Sequence, residues 1–309
     1  MVNKLYIMRK VPVLFIIFCR EDVTLKSFEA INEYKPDVLY IAGDGPRANR
    51  PGEADLCEQT RAAVLAAVNW DCRVETLFRD HNLGCTMAVS SAISWFFSNE
   101  EYGIIIEDDC FIHHDFFSLC EKLLPEYSSE DNVMLVSAQN QTPDLKHANQ
   151  LVFSNGCFIW GWASWRRAWN KMDMNLELWP QFKFKKFVKK FGLPGACHIY
   201  LTWRHAYRNT NFGSWDLRWF FAVLANDGLC LSSNVNLSKN IGIEIGGAHY
   251  EQGDTDPFEH IPFGDIKWPI IIPDKIERSN FKMKAEKRLF YKLRIMGLKK
   301  KIKKIFTLG

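Results

Sequence analysis

The stretch that decides the fold runs from Tyr102 to Cys110 and reads YGIIIEDDC. Its three consecutive isoleucines, residues 104–106, are typical of a parallel strand that is buried on both faces. Three acidic residues, Glu107, Asp108 and Asp109, follow at the carboxyl end of this strand. Ligands of open α/β sheets bind at that edge. Because adjacent carboxylates repel one another, we expect a divalent cation that carries a nucleotide diphosphate to neutralise them.

Strands alternate with helices on the amino-terminal side of this stretch and just beyond it. Apolar runs bounded by turn residues predict strands over 11–18, 38–42, 73–78 and 133–138. Helical patterns over about 24–34, 53–69, 84–97 and 115–127 separate them. This alternation predicts βαβ units and an α/β fold with a mainly parallel, Rossmann-like sheet flanked by helices.

The composition indicates an ordinary globular protein in a reducing compartment. The chain has 309 residues, of which 47% are hydrophobic and 24% charged. Its nine cysteines are an odd number and form no Cys-x-x-Cys pair, which argues against a disulfide framework or a zinc site. The apolar run at 11–18 is too short to span a bilayer and lacks a small-residue cleavage site. We therefore expect a buried first strand and a cytoplasmic location.

Positive charge is concentrated at the carboxyl terminus. From Phe281 to Gly309 there are eleven Lys and Arg and one acid, a charge of +10, so the rest of the chain carries 3 − 10 = −7. Apolar residues recur among these lysines at roughly helical spacing. The pattern predicts a basic amphipathic helix that lies on an anionic membrane surface, the inner face of the plasma membrane. A solvated basic end is the alternative, and nucleic acid is not expected as a partner.

The acidic triplet carries a family resemblance. Followed by Cys110-Phe111-Ile112 and a predicted helix with Phe116 and Phe117, it resembles the N-acetylglucosaminyltransferase I type of glycosyltransferase. It is also similar to bacterial nucleotide-diphospho-sugar transferases, from about Pro12 to His249. The resemblance implies a GT-A-like fold. It also implies that Asp109 binds Mn²⁺ (or Mg²⁺) bridging the donor diphosphate, with Glu107 and Asp108 in the nucleotide-sugar site.

Three further positions are implied to contact the nucleotide. Arg20 follows the first strand, where the family has a Cys-x-Arg segment, although one residue of that segment is missing here. Asp44 matches an acid that hydrogen-bonds uracil, which makes UDP the expected nucleotide. His81 lies in the loop where the family places a histidine. The alternatives are a turn acid for Asp44 and a loop histidine without a role for His81.

Asp216 and His249 complete the implied chemistry. Asp216, in the Gly-Ser-Trp-Asp segment that opens a helix, resembles the catalytic base of inverting transferases, which takes the proton of the acceptor hydroxyl. A capping acid in the first turn is the alternative. His249 follows Gly246 and Gly247 and is a second candidate metal ligand. A surface loop histidine is the alternative.

Eight of the eleven tryptophans lie between Trp160 and Trp219. Aromatic rings pack against sugar rings, and glycine allows close approach of a ligand. We expect Gly161 and Trp162 to line the site. Trp165 and Trp169 recur at helical spacing and are expected to belong to the core.

These features predict an enzyme with two halves and a tail. Residues 1–140 would bind the nucleotide sugar, residues 141–275 of the same domain would form a mixed α+β region with the acceptor site and the base, and residues 276–309 would form the tail. The expected reaction is transfer of a hexosyl or N-acetylhexosaminyl group to a hydroxyl of a bacterial surface glycan, such as lipopolysaccharide or capsule. A sugar nucleotidyltransferase is disfavoured because no glycine-rich loop follows the first strand. A non-catalytic carbohydrate-binding protein is the third hypothesis.

Overall fold

The computed structural model describes residues 10–209, 213–243 and 258–306. The strands are β1 Val13–Ile17, β2 Val38–Gly43, β3 Arg73–Phe78, β4 Tyr102–Glu107, β5 Cys110–Ile112, β6 Val133–Ser137, β7 Leu151–Ser154, β8 Trp162–Trp165, β9 Leu229–Ser233 and β10 Ser238–Asn240. The helices are α1 Glu21–Tyr34, α2 Glu53–Ala67, α3 Gly84–Asn99, α4 His114–Glu126, α5 Arg166–Trp169, α6 Phe184–Arg208, α7 Trp215–Ala225 and α8 Asn280–Phe306. Short 3₁₀ turns occur at Leu145–His147 and Trp179–Gln181.

The main sheet has eight strands in the order β3-β2-β1-β4-β8-β6-β9-β7. The first four strands are parallel, with Val13 of β1 paired with Leu39 of β2 and Ile104 of β4. Every residue of β1 and the isoleucines of β4 are buried, because helices cover both faces of the sheet. The predicted α/β fold with a large, mainly parallel sheet flanked by helices is confirmed.

Strands from the second half of the chain continue this sheet. Strand β8 lies antiparallel between β4 and β6, while β9 is parallel to β6 and antiparallel to β7. A separate two-stranded sheet pairs β5 with β10. One sheet therefore runs through both predicted halves, and its carboxyl edge collects residues from each.

A second aromatic core lies beside the sheet and was not predicted. It forms around α6, which bends where Gly192 has a φ of 70° and Pro194 follows. Phe187, Phe191 and Trp203 of α6 pack there with residues of α7 and α8. The aromatic spacing of this stretch resembles a helix, but the glycine and proline in its middle hide that pattern.

Helix α8 begins inside the fold. Lys282, Glu286 and Phe290 recur every four residues and are only 1%, 1% and 9% exposed. The Lys282 ammonium donates hydrogen bonds to Asn140 Oδ1 and to the carbonyl of Thr142, and the Gly156 N–H donates to Glu286. Burial lowers the pKa of Lys282 to about 8. The first turns of the predicted tail are thus part of the core.

Within the described ranges, no helix combines the length and the apolar character that crossing a membrane requires.

Candidate functional site

A cavity of about 530 Å³ opens at the carboxyl edge of the parallel strands. Its walls come from the ends of β1, β2 and β4 and from the first turns of α3. All three acids of the triplet line it, together with Arg20 and Asp44. The structure therefore brings together five of the residues that the sequence assigned to nucleotide-sugar or metal binding.

Arg20 links the second and third acids of the triplet. Its Nη2 lies 3.0 Å from Asp108 Oδ1 and 3.0 Å from Asp109 Oδ2. Strand β1 ends beside β4, with Ile16 paired with Glu107, so the residue that precedes α1 faces the triplet. The Phe18 N–H also donates to Asp108, at 3.2 Å. The positive partner that the triplet requires is supplied in part by the chain itself.

Negative charge at the triplet nevertheless exceeds positive charge. Burial, Asp109 and Asp108 raise the pKa of Glu107 well above its usual range. Burial raises the pKa of Asp108 to about 6, although Arg20 opposes this. With all three acids ionised, as a bound cation would keep them, three carboxylates and one guanidinium carry a formal charge of −3 + 1 = −2. Oxygen donors with two excess negative charges suit a hard divalent cation, so the residues fit the metal that the resemblance implies.

Gly242 covers this charged group and was missed from the sequence. A Cβ at this position would lie 2.8 Å from both Arg20 Nη1 and Asp109 Oδ2, so a side chain would displace them. The preceding residue, Ile241, donates its N–H to the Asp109 carbonyl at 2.8 Å. The only signal in the sequence was a glycine shortly after a short strand, which is too common to single out.

Asp44 lines the cavity, but its carboxylate is already engaged. It accepts hydrogen bonds at 2.9–3.1 Å from the backbone N–H groups of Gly45, Leu83 and Gly84 and from the side-chain amide of Asn82. These bonds fasten the β2 loop to the start of α3. The structure thus gives Asp44 a structural role, and its contact with uracil stays a prediction.

The loops after β2 and β3 each bring an arginine to the cavity, and not the histidine that was expected. His81 is exposed and does not belong to the residues that line it. Arg47 and Arg79 do line it, and the Arg47 guanidinium lies over the Phe18 ring at 5.6 Å. Neither arginine stands in a recognisable sequence pattern, so nothing distinguishes them in the sequence from the other Lys and Arg residues, 39 in all.

Asp216 lies beside the triplet without lining the cavity. It stands in the first turn of α7, where the Ser214 hydroxyl donates a hydrogen bond to its carboxylate. Its charge contributes to the raised pKa of Glu107 and, after burial and Glu107, to that of Cys85, which lines the cavity and whose pKa is raised to about 12. Residues 107 and 216 are therefore close in space although far apart in sequence.

The structure corrects the prediction for Trp162. Its side chain is fully buried, with ring centroids 5.9 Å from Trp215, 5.7 Å from Trp219 and 6.2 Å from Trp169. No surface of the ring is left for a sugar, because β8 is a central strand covered on both faces. The Trp162 ring instead stacks on Trp215, the residue immediately before Asp216, and helps to hold it in place.

Gly161 is likewise a structural position. Its φ is 73°, and a Cβ would lie 2.1 Å from Ile112 Cδ1, so the close contact is with the protein. Trp165 and Trp169 are 1% and 4% exposed and belong to the core, as expected. His249 lies outside the described residues.

A second cavity, of about 270 Å³, opens near the first, beyond β10. Side-chain amides dominate its wall, and Lys26, Lys239 and Trp160 also contribute. Ser238 is 2% exposed and lines this cavity, and its hydroxyl has no hydrogen-bond partner among the described residues. Such a wall offers donors and acceptors for a polyhydroxylated ligand.

Comparisons with known proteins identify no family. No protein-family model matches the chain, and no curated protein matches its sequence. Among solved structures, HddC from Yersinia pseudotuberculosis is 9% identical, with a TM-score of 0.32, over 56% of this chain and 87% of that chain. The same protein complexed with GMP-PN gives a TM-score of 0.33 at 9% identity and the same coverage. At TM-scores this low, the likeness says nothing about function.

Proposed function

We propose that this chain is a metal-dependent inverting glycosyltransferase that uses a nucleotide-diphosphate sugar, with UDP as the nucleotide. One observation carries the proposal: a cavity at the carboxyl edge of the sheet holds a triplet of carboxylates with excess negative charge, and a further carboxylate, Asp216, stands beside it. The acceptor would be a hydroxyl of a bacterial surface glycan.

The sheet supports a GT-A-like arrangement. Four parallel strands in the order β3-β2-β1-β4 end at the cavity, and the acidic triplet follows the last of them. The antiparallel β8 then continues the sheet into the second half of the chain. This topology agrees with the resemblance in the sequence.

Asp109 is the residue best placed to hold the cation. Both aspartates line the cavity and contact Arg20, but the Asp109 side chain is more exposed, 22% against 11%, and Asp108 is further held by the Phe18 N–H. When bound, Mn²⁺ or Mg²⁺ would neutralise the charge that develops on the departing diphosphate. Arg20 holds Asp108 and Asp109 together and limits their repulsion. Arg47 and Arg79 add positive charge to the wall that faces an anionic nucleotide.

Asp216 would take the proton of the acceptor hydroxyl. A base must lie within hydrogen-bond reach of the hydroxyl it activates, and it acts on the side of the sugar opposite the leaving group. The Ser214 hydroxyl donates a hydrogen bond to the carboxylate in the first turn of α7 and so orients it. The neighbouring amide-rich cavity, with Trp160 on its wall, is the proposed acceptor side.

Helix α8 is the proposed contact with an anionic membrane. Its first turns are held by Lys282, Glu286 and Phe290, so the lysines from Lys299 onwards would be carried on an anchored helix. Electrostatic attraction of such lysines to anionic lipids contributes about 1 kcal/mol each. The enzyme would then meet a lipid-linked acceptor at the membrane surface.

The test is a panel of nucleotide sugars incubated with the protein and Mn²⁺ in the absence of acceptor. A glycosyltransferase should slowly hydrolyse its own donor and release the nucleoside diphosphate. In a parallel incubation with a nucleoside triphosphate and a sugar 1-phosphate, formation of a nucleotide sugar with release of pyrophosphate would favour a sugar nucleotidyltransferase instead. Binding of glycans without any binding of nucleotide would favour a carbohydrate-binding protein. The Asp109→Asn variant is the control, and it should lose the hydrolysis.

A further inference from the structure

A cluster of two histidines and two aspartates lies outside the proposed catalytic site. His113, His114 and Asp115 are consecutive at the start of α4, and Asp265 reaches them from a segment 150 residues later. Each residue offers a ligand atom, and these four atoms lie within 4.8 Å of one another. The proposed glycosyl transfer uses none of the four.

We propose that these four residues bind a zinc ion that fastens the segment around Asp265 to the start of α4. Two imidazoles and two carboxylates are a donor set that zinc accepts, whereas Mg²⁺ prefers oxygen ligands alone. The site contains no cysteine, so the scattered cysteines that argued against zinc do not bear on it. Its metal would differ from the one proposed at the acidic triplet.

The distances are close to those of a bound ion. His113 Nε2 lies 3.2 Å from Asp265 Oδ1, and His114 Nε2 lies 3.9 Å from Asp115 Oδ1. Ligand atoms of a tetrahedral zinc site are about 3.3 Å apart, since each bond is about 2.0 Å long. The side chains of His114 and Asp265 are 58% and 83% exposed, so they can move the short distance that brings all four ligand atoms to the spacing of a zinc site.

Asp115 is held in place in advance. Its oxygens accept hydrogen bonds at 2.9 Å from the Ile266 N–H and from Trp268 Nε1. In the structure His113 Nδ1 accepts a hydrogen bond from the Asp115 N–H at 3.3 Å; for Nε2 to bind the ion, the ring must carry its proton on Nδ1, with Asp115 Oδ2, 3.5 Å away, as the acceptor. Carboxylates commonly support metal-bound histidines in this way. Because the Asp115 carboxylate is already fixed, less side-chain conformational freedom is lost when the ion binds.

The proposed ion would stabilise the wall of the second cavity. Phe263, two residues before Asp265, packs against His113 with ring centroids 5.3 Å apart and at 72°. The same segment contributes Phe258 and Ile261 to the cavity wall, and the Gly264 N–H donates to the Asn236 carbonyl. The zinc would therefore act on acceptor-side structure and not on the chemical step.

Metal titration of the EDTA-dialysed full chain tests the proposal. Co²⁺ alone, followed by visible absorption, should give the intense bands of a four-coordinate site at one ion per chain, and Zn²⁺ alone should displace it. The His114→Ala/Asp265→Ala variant should bind Zn²⁺ more than about 100-fold more weakly by calorimetry. Because both side chains are exposed, this variant should keep its circular dichroism spectrum, and Asp265→Asn alone provides a second, milder test.

Two control variants separate this site from others. His147, an exposed histidine 2.8 Å from Asp144, has a carboxylate partner but belongs to no cluster of candidate ligands among the described residues, so His147→Ala should leave the Co²⁺ bands unchanged. Asp109→Asn should also keep them, because six-coordinate Co²⁺ on oxygen ligands absorbs weakly. The proposal is overturned if the wild type gives no four-coordinate bands, or if the double variant binds Zn²⁺ as tightly as the wild type.

Discussion

Replacing Asp109 with asparagine should weaken the binding of UDP in the presence of Mn²⁺. Asparagine keeps the size of the side chain but removes its charge. In the structure, Asp109 lines the large cavity and its Oδ2 accepts a hydrogen bond from Arg20 at 3.0 Å. A cation held there would lose a charged ligand, and the diphosphate would lose the bridge that the cation provides.

The size of the effect follows from the charges around the triplet. The substitution changes the formal charge of the triplet with Arg20 from −2 to −1. A pair of unit charges about 4 Å apart contributes about 4 kcal/mol at an effective dielectric constant of 20. A water molecule that replaces the lost ligand offsets part of this. We expect a loss of about 2–3 kcal/mol, which is about 30- to 150-fold in the dissociation constant.

Without metal, the same substitution should act in the opposite direction. Arg20 would lose one of its two carboxylate partners, and the cavity wall would repel the anionic nucleotide less. The metal-free affinity for UDP should therefore be unchanged or increase, by up to about tenfold. This reversal of sign separates a metal ligand from a residue that merely supports the fold.

Calorimetry with UDP, with and without Mn²⁺, measures both effects. Asp216→Asn is the matched control, because it also removes one carboxylate near the triplet but is not expected to hold the metal. It should bind UDP and Mn²⁺ as the wild type does. Equal affinities of wild type and Asp109→Asn with Mn²⁺ present, or the same loss with and without Mn²⁺, would refute the metal role of Asp109.

Three other outcomes are expected. Asp216→Asn should lower the rate of sugar transfer by about 10²- to 10⁴-fold, measured as product formed at saturating donor, while unchanged binding of UDP with Mn²⁺ shows that the protein is folded. Gly161→Ala should lower the free energy of unfolding, measured in urea, by about 2–4 kcal/mol, because the φ of Gly161 is positive and a Cβ there would overlap a neighbouring isoleucine. Gly264→Ala is the control: the space around Gly264 is open, so the free energy of unfolding should change by less than about 0.5 kcal/mol. Burial lowers the pKa of Lys282 from 10.5 to about 8. Between these two pH values the unfolded chain therefore binds more protons than the folded protein. The free energy of unfolding should then rise with pH across this range, by about 3 kcal/mol. Lys282→Gln should lack this rise and the exposed Lys284→Gln should keep it; equal pH profiles of wild type and Lys282→Gln would contradict the buried charge.

The first half of the fold could be read from the sequence because its signals are local. The run from Ile104 to Ile106 predicted a strand buried on both faces, and the acids after it fell at the sheet edge where ligands bind. Glycine and proline marked the ends of the neighbouring elements. Strand β3 has the predicted bounds, and α1 and α3 agree within a few residues. Alternation of strands and helices then required parallel pairing.

The second half was harder because its packing overrides its local pattern. Gly192 and Pro194 do interrupt α6, since the backbone of Gly192 leaves the helical region, yet aromatic residues on both sides of the break meet α7 and α8 in one core. In the sequence, Trp162 has the character of a residue that contacts a ligand, but its strand lies in the middle of the sheet and its side chain is buried. No local property of a tryptophan distinguishes a ring that faces a cavity from one that faces three other tryptophans.

The sequence by itself determined the α/β class, the edge of the sheet that carries the site and the identity of the acidic triplet. Only the tertiary structure decided what neutralises those acids, by placing Arg20 between Asp108 and Asp109 and by engaging Asp44 with the start of α3. It also brought Asp265 to His113. Periodicity and turn residues act over a few neighbours in the chain, whereas the charge and burial of a side chain depend on groups that are distant in sequence and meet only when the chain folds.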